Sequence, residues 1–306
     1  MQISSLWRVI LRAIQDWWED NCLRLAASLA YYTALSLAPL VLLIVGLVGT
    51  VLGREQVASQ LAAQLESLMG PAGRELVTSI LTTSSPEGGT WATIVGLVTL
   101  VIGATAVFGE LQATLNLIWE VRPAPTSGVW AGIGALLKER LFSLAIVFAL
   151  AFLLLVSLVI SAVLAGAAAW FQGPEQALVS RVLELAVSLL ILTLVFALLF
   201  TYVPDAEIRW RDVWLGGLIT AALFTLGKTA IGYYLGQASV GSAYGAAGSL
   251  VVLLVWVYYS ALIMFFGAEF THAWATRQGA VAPQPHAVTG AAPQTKGEAA
   301  ERNLGS

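Results

Sequence analysis

The chain has 306 residues, of which 58% are hydrophobic and only 11% charged, with a mean hydropathy of +0.82. Soluble domains carry about 25% charged residues, so this is an integral membrane protein. A formal net charge of −3 offers no basic surface to nucleic acid, and a single cysteine, Cys22, excludes an intrachain disulfide or a cysteine metal cluster.

Residues 3–18 place Ile3, Leu6, Trp7, Ile10, Leu11, Ile14, Trp17 and Trp18 at helical spacing opposite Ser4, Arg8, Arg12 and Gln15. An amphipathic helix is expected over residues 1–24, either lying in the membrane interface or packed on the bundle, since both settings reward the same periodicity. The first apolar stretch is too long for a cleavable signal peptide and follows Asp16, Glu19 and Asp20.

A spanning helix needs about 20 mostly apolar residues. Six such runs lie near residues 25–52, 91–118, 140–170, 178–202, 213–236 and 244–270, giving an all-α, polytopic domain over residues 25–275. Arg8, Arg12, Arg24, Arg122, Lys138, Arg140, Arg209, Arg211 and Arg277 fall on one side, whereas the other holds only Arg54, Arg74 and Arg181. Short basic loops stay inside during insertion, so both termini are expected in the cytoplasm.

Within the first span, Pro39 removes an intrahelical hydrogen bond and should kink the helix. The outer loop, residues 53–90, holds two amphipathic segments, 55–69 and 73–82, broken at Gly70 and Pro71. They either cap the bundle or lie on lipid.

The second span ends in "FGELQATLNLIWEVR", residues 108–122. At 100° per residue Glu110 and Thr114 share one side, and Gln112 and Asn116 share another about 160–200° away. Two opposed polar sides cannot both avoid lipid on a peripheral helix, so this span is expected at the centre of the bundle. Glu110, Gln112 and Asn116 become candidates for a polar path.

In the fifth span Lys228 is the expected charge partner of Glu110, as both lie within the membrane core. Snorkelling to the outer interface is its alternative role. Gly232 and Gly236 close the fifth span, while Gly241, Gly245 and Gly248 open the sixth at i, i+4 and i+7, and all are read as helix-packing positions. Tyr258 and Tyr259 lie deep enough in the sixth span to need partners, lining a cavity or forming a packed aromatic core. The tail, residues 276–306, is rich in Ala, Gly, Pro, Gln and Thr without apolar period and is expected to be disordered.

Four stretches, "AASLAYYTALSLAPLVLLIVGLVG" (26–49), "FGELQATLNLIWEVR" (108–122), "YVPDAEIRWRDVWLGGLITAALFTLGKTAIGYYLG" (202–236) and "AYGAAGSLVVLLVWVYYSALIMFFGAEF" (243–270), resemble the YihY/virulence factor BrkB family. The resemblance implies a six-helix protein of the bacterial inner membrane. It also brings the family's older label, ribonuclease BN, widely regarded as a misassignment.

A nuclease would need clustered carboxylates or histidines, or paired acid and base groups beside a basic track. His272 and His286 are the only histidines and lie apart, and Asp205, Glu207 and Asp212 share one loop with Arg209 and Arg211, where local ion pairs are expected. The chain is therefore not read as an enzyme, and neither metal nor cofactor is expected; no Walker motif offers ATP coupling. Two functions remain: facilitated transport or flipping of a lipid or other envelope molecule, and a non-transporting scaffold or assembly factor. Membrane lipids are the expected partners of either, with self-association open.

Overall fold

The computed structural model describes residues 3–83, 89–121, 174–206, 208–237, 244 and 247–277. These are all helical, without a strand among the described residues: α1 (Ile3–Glu19), α2 (Cys22–Leu52), α3 (Arg54–Met69), α4 (Pro71–Thr83), α5 (Gly89–Ile118), α6 (Pro174–Tyr202), α7 (Trp210–Gln237) and α8 (Gly248–Arg277). Five of them, α2, α5, α6, α7 and α8, are long and apolar enough to cross a membrane. The expected span over 140–170, the positions Gly241 and Gly245, and the tail beyond Arg277 lie outside the described residues.

The helix boundaries follow local chemistry. Asn21, in the left-handed region at φ 56°, turns the chain from α1 into α2, a conformation that Asn tolerates better than most residues. Gly53 at φ 90° and Gly70 at φ 72° make the breaks on either side of α3. Pro39 sits inside α2, whose helical assignment continues through it.

The outer segments cap the bundle. Val57, Ala62 and Val77 from α3 and α4 pack against Val41 and Val45 of α2, while Met69 and Leu76 pack against Val252 and Leu253 of α8. Arg74 and Glu66 close the α3–α4 hairpin with an ion pair at 2.6 Å.

The central position belongs to α8 among the described residues, not to the second span as its polar pattern suggests. α8 contacts α1, α2, α3, α4, α5 and α7, whereas α5 packs chiefly on α2. Small residues give α8 this reach. A β-carbon built at Gly267 would fall on Thr220 Oγ1 of α7, and one built at Gly216 of α7 would fall on Thr271 Oγ1 of α8. Each threonine lies across the other helix's glycine and donates its hydroxyl proton back to its own helix, Thr220 to Gly216 O at 2.7 Å and Thr271 to Gly267 O at 2.6 Å. In lipid, helices associate through such close van der Waals contact rather than through a hydrophobic drive.

That lock differs from the glycines singled out in sequence. Gly248 is buried at the start of α8, but a β-carbon at Gly232 would meet nothing within 4 Å. Gly236 falls in the last turn of α7. The close approaches instead use Gly103 against Ser36, Gly216, Gly217 against Thr193, Gly227 against Tyr259, and Gly267.

α1 presents three stripes. Val9 and Ala13, with Leu6 and Ile10 beside them, pack on Phe270, Ala273 and Trp274 of α8. Arg8, Arg12, Gln15 and Glu19 are exposed on a second stripe. On the third, Trp7, Leu11, Ile14 and Trp18 are exposed at 60%, 47%, 48% and 67%, leaving an apolar line along the helix outside the bundle contact. α1 therefore combines both settings expected for it: one side docks on the bundle and another has the form of an interfacial helix.

Candidate functional site

The α1 end of the bundle gathers the ends of several helices. Trp119, just beyond α5, is 1% exposed and meets His272 edge to face, with ring centroids 5.2 Å apart. Cys22 at the start of α2 donates its thiol proton to Glu269 Oε1 at 3.9 Å, a weak bond that ties α2 to α8. α5 stops at Ile118, just before Trp119: Glu120 N–H donates to Leu117 O at 2.9 Å and Val121 N–H to Asn116 O at 2.8 Å. These two bonds form a Schellman turn, with Glu120 at φ 53° in the position that ordinarily takes glycine.

Around this junction lies a cavity of about 490 Å³ lined by Arg12, Asp16, Glu19 and Asp20, by Asn116 and Glu120, and by Glu269 and His272. Glu269 is 1% exposed, and its Oε2 has no hydrogen-bond partner among the described residues. Burial pushes the Asp20 carboxyl above its ordinary 3.8; its hydrogen bond with Glu269 partly offsets this, while Asp16, Glu120 and Glu19 add to the rise by repulsion. The cationic side chain on the lining, Arg12, is already engaged by Asp16 at 3.4 Å.

Next to the cavity, α5 is fastened to the α6–α7 loop. Asn116 Nδ2 donates to Asp205 Oδ2 at 2.9 Å, and Asp205 N–H donates to Asn116 Oδ1 at 2.7 Å. Gln112 Nε2 adds contacts of 3.3 Å to both carboxylate oxygens. The reciprocal pair fixes the Asn116 amide and satisfies one polar side of α5, as expected for groups that must find partners inside the bundle. Of the local ion pairs expected in that loop, none forms between Asp205 or Asp212 and Arg209 or Arg211 among the described residues, and Glu207 lies outside them.

Of the six residues proposed from sequence for a polar path, only Asn116 lines this cavity. Glu110 is half-buried further along α5 and forms no ion pair with Lys228. The reason lies on α7, where Gly227 faces Ile263 and Tyr259 of α8. One residue later, at 100° around the helix, Lys228 is turned away from that contact and is exposed. Tyr259 packs on Gly227 and Tyr258 packs on the main core, so the pair is divided between two contacts rather than lining one cavity.

Sequence reasoning passed over Glu269, Asp20, Glu120 and Arg12. The signal was the i, i+3 pair of Glu269 and His272 in "GAEFTHAW" at the end of an apolar run. An expected span ending at residue 270 left both at a boundary, where a charged group needs no explanation.

Comparison with known proteins agrees with this architecture. The family model for virulence factor BrkB matches residues 13–290. A UPF0761 membrane protein of Alkalilimnicola ehrlichii is 31% identical over 264 residues, covering 84% of this chain and 56% of the relative. One from Methylibium petroleiphilum is 30% identical over 271 residues, covering 86% and 61%. Another, from Tolumonas auensis, is 28% identical over 255 residues, covering 83% and 81%. The chain thus spans between 55% and 62% of the length of the first four curated relatives it matches. No solved structure matches. With the family model covering most of its length and five helices among the described residues long and apolar enough to cross a membrane, the chain belongs to the virulence factor BrkB family of membrane proteins.

Proposed function

We propose that the protein is a facilitator that moves a lipid or another amphiphilic envelope molecule through the bacterial inner membrane, entering or leaving at the α1 end of the bundle, with both termini cytoplasmic. One observation carries this reading: Glu269, an almost fully buried acid on the spanning helix α8, borders a polar cavity of about 490 Å³. An ionisable group inside a spanning helix is expensive and marks a working path more often than mere packing. The volume suits a headgroup rather than a single ion, since ligand sites run to about 300–1,000 Å³. The exposed apolar stripe of α1 supports the same reading by offering lipid a surface beside the cavity. The reading assigns the chain no covalent chemistry.

A scaffold role draws on a different observation, the Asn116–Asp205 clamp, which uses polar groups to fix α5 in place. Reconstitution separates the two. Purified protein in liposomes carrying trace fluorescent lipid should accelerate loss of inner-leaflet protection from a membrane-impermeant quencher, and Glu269→Gln should slow it by about tenfold, the factor that about 1.4 kcal/mol represents. Protein that reconstitutes fully and moves none of a panel of phospholipids and amphiphiles would favour the scaffold.

A further inference from the structure

The cavity's lining has an unbalanced charge. Asp16, Glu19, Asp20, Glu120 and Glu269 contribute five carboxyl groups, and Arg12, the basic side chain facing them, is held by Asp16. Acidity alone would mean little at a membrane surface, but Glu269 is not at a surface. It is 1% exposed, it lines the cavity, and its Oε2 finds no donor among the described residues, while the Asp20 carboxyl lines the same cavity. Carboxyl groups gathered on the walls of one cavity favour a cation held between them.

We propose that this cavity binds a primary ammonium group, held between Glu269 and Asp20 with Glu120 closing the mouth. An –NH₃⁺ carries three donors and so can serve Glu269 Oε2 and Asp20 together, with one donor left for Glu120, Asn116 Oδ1 or water. A bare metal ion fits less well: among the described residues no three His, Cys, Asp or Glu side chains converge as ligands, whereas an organic cation can reach carboxyls set on different walls. The volume also exceeds what one ion needs, a water occupying about 30 Å³.

Burial lets Asp20 take up a proton more readily than an ordinary carboxyl, so proton and ammonium compete for it. The other titratable or charged groups facing the pair are Arg12, Asp16 and Glu19 from α1, Cys22 from α2, Glu120 after α5, and His272 from α8. Ammonium binding should therefore strengthen as pH rises through the titration of Asp20 and should release a proton there.

This assigns a ligand class to the site of the proposed facilitator and rests on that reading for its location, but binding is measured without transport. Full-length protein in nonionic detergent is titrated with short-chain phosphatidylethanolamine, phosphatidylcholine and phosphatidylglycerol, and separately with ethanolamine and putrescine in water. The expected result is saturable binding of the primary amines, about tenfold weaker for Glu269→Gln and for Asp20→Asn. Glu120→Gln, at an exposed residue, tests the same charge balance if the buried variants fail to fold, and should weaken binding severalfold. Tighter binding of phosphatidylethanolamine than of ethanolamine identifies a lipid headgroup as the source; equal binding of the free amines identifies a soluble one. Equal binding of the three lipids with no binding of the free amines, or unchanged amine binding in Glu120→Gln and in whichever buried variants fold, overturns the proposal. Amine binding without lipid movement would instead defeat the facilitator reading and leave the site intact.

Discussion

Glu120 is an ordinary surface acid by exposure, but its backbone is not ordinary. A side chain in the left-handed region costs about 1–2 kcal/mol, and the Schellman turn it occupies normally recruits glycine. Glu120→Gly should therefore raise the thermal midpoint in detergent, by the equivalent of about 0.5–1 kcal/mol after the extra unfolded-state entropy of glycine, even as it removes a carboxyl from the cavity. A lowered midpoint would mean that the carboxyl itself holds the helix end. Asp20 gives a pH prediction. Its folded carboxyl binds a proton more readily than the unfolded one, so above 3.8 the folded state carries more protons and stability falls with rising pH until the raised value is passed. Thermal midpoints measured from about pH 4 to 7 should decline more steeply for the native chain than for Asp20→Asn. Parallel slopes would show that Asp20 does not contribute.

Between elements, the α7–α8 crossing depends on two glycine–threonine exchanges. Gly267→Val inserts atoms where Thr220 already lies, and overpacking of this kind costs about 1–3 kcal/mol. Folded yield should drop, and it should recover in part when Thr220→Gly is added, because the two positions compete for one space. Failure of the double variant to improve on the single one would place the damage elsewhere. α1 makes a separate prediction from its outward stripe. Trp7 and Trp18 should be quenched by brominated lipid in nanodiscs, whereas Trp274, packed on α1's inner side, should not. Quenching that leaves Trp7 and Trp18 untouched would mean that protein, not lipid, covers the stripe.

At the scale of the molecule, direction along the membrane normal constrains the chain. α5 ends beside His272 at the α1 end, and the loop after α6 is fastened to Asn116 at that same end, so both helices run towards it. The last residue of α5, Ile118, and the first of α6, Pro174, therefore lie at opposite ends of the bundle. We predict a further span between Val121 and Pro174, giving six in all. Cysteine labelling in intact cells should reach residues near 54–90 and 174 from outside and residues near 122 and 205 only after permeabilisation. Labels at 122 and 174 on one side would remove the sixth span.

The sequence by itself determined the class of structure, because hydropathy and helix length are properties of a stretch read alone: five of the six expected spans, the segments that became α3 and α4 and the N-terminal amphipathic helix were legible, and the expected span over 140–170 lies outside the described residues. It also foresaw that Gln112 and Asn116 must meet protein, since a polar side chain in a spanning helix has few other options. Which group they would meet was not legible, because Asp205 lies 89 residues from Asn116 and nothing local announces the pairing. Tertiary structure alone decided the rest. Glu110 and Lys228 seemed matched by depth, but pairing also needs rotation about each helix axis, and the contact at Gly227 turns Lys228 away. Asp20, Glu120 and Glu269 look like three unrelated helix-end acids in the sequence; they share one cavity because helix ends distant along the chain meet at one end of the bundle, around a carboxyl that only this packing buries.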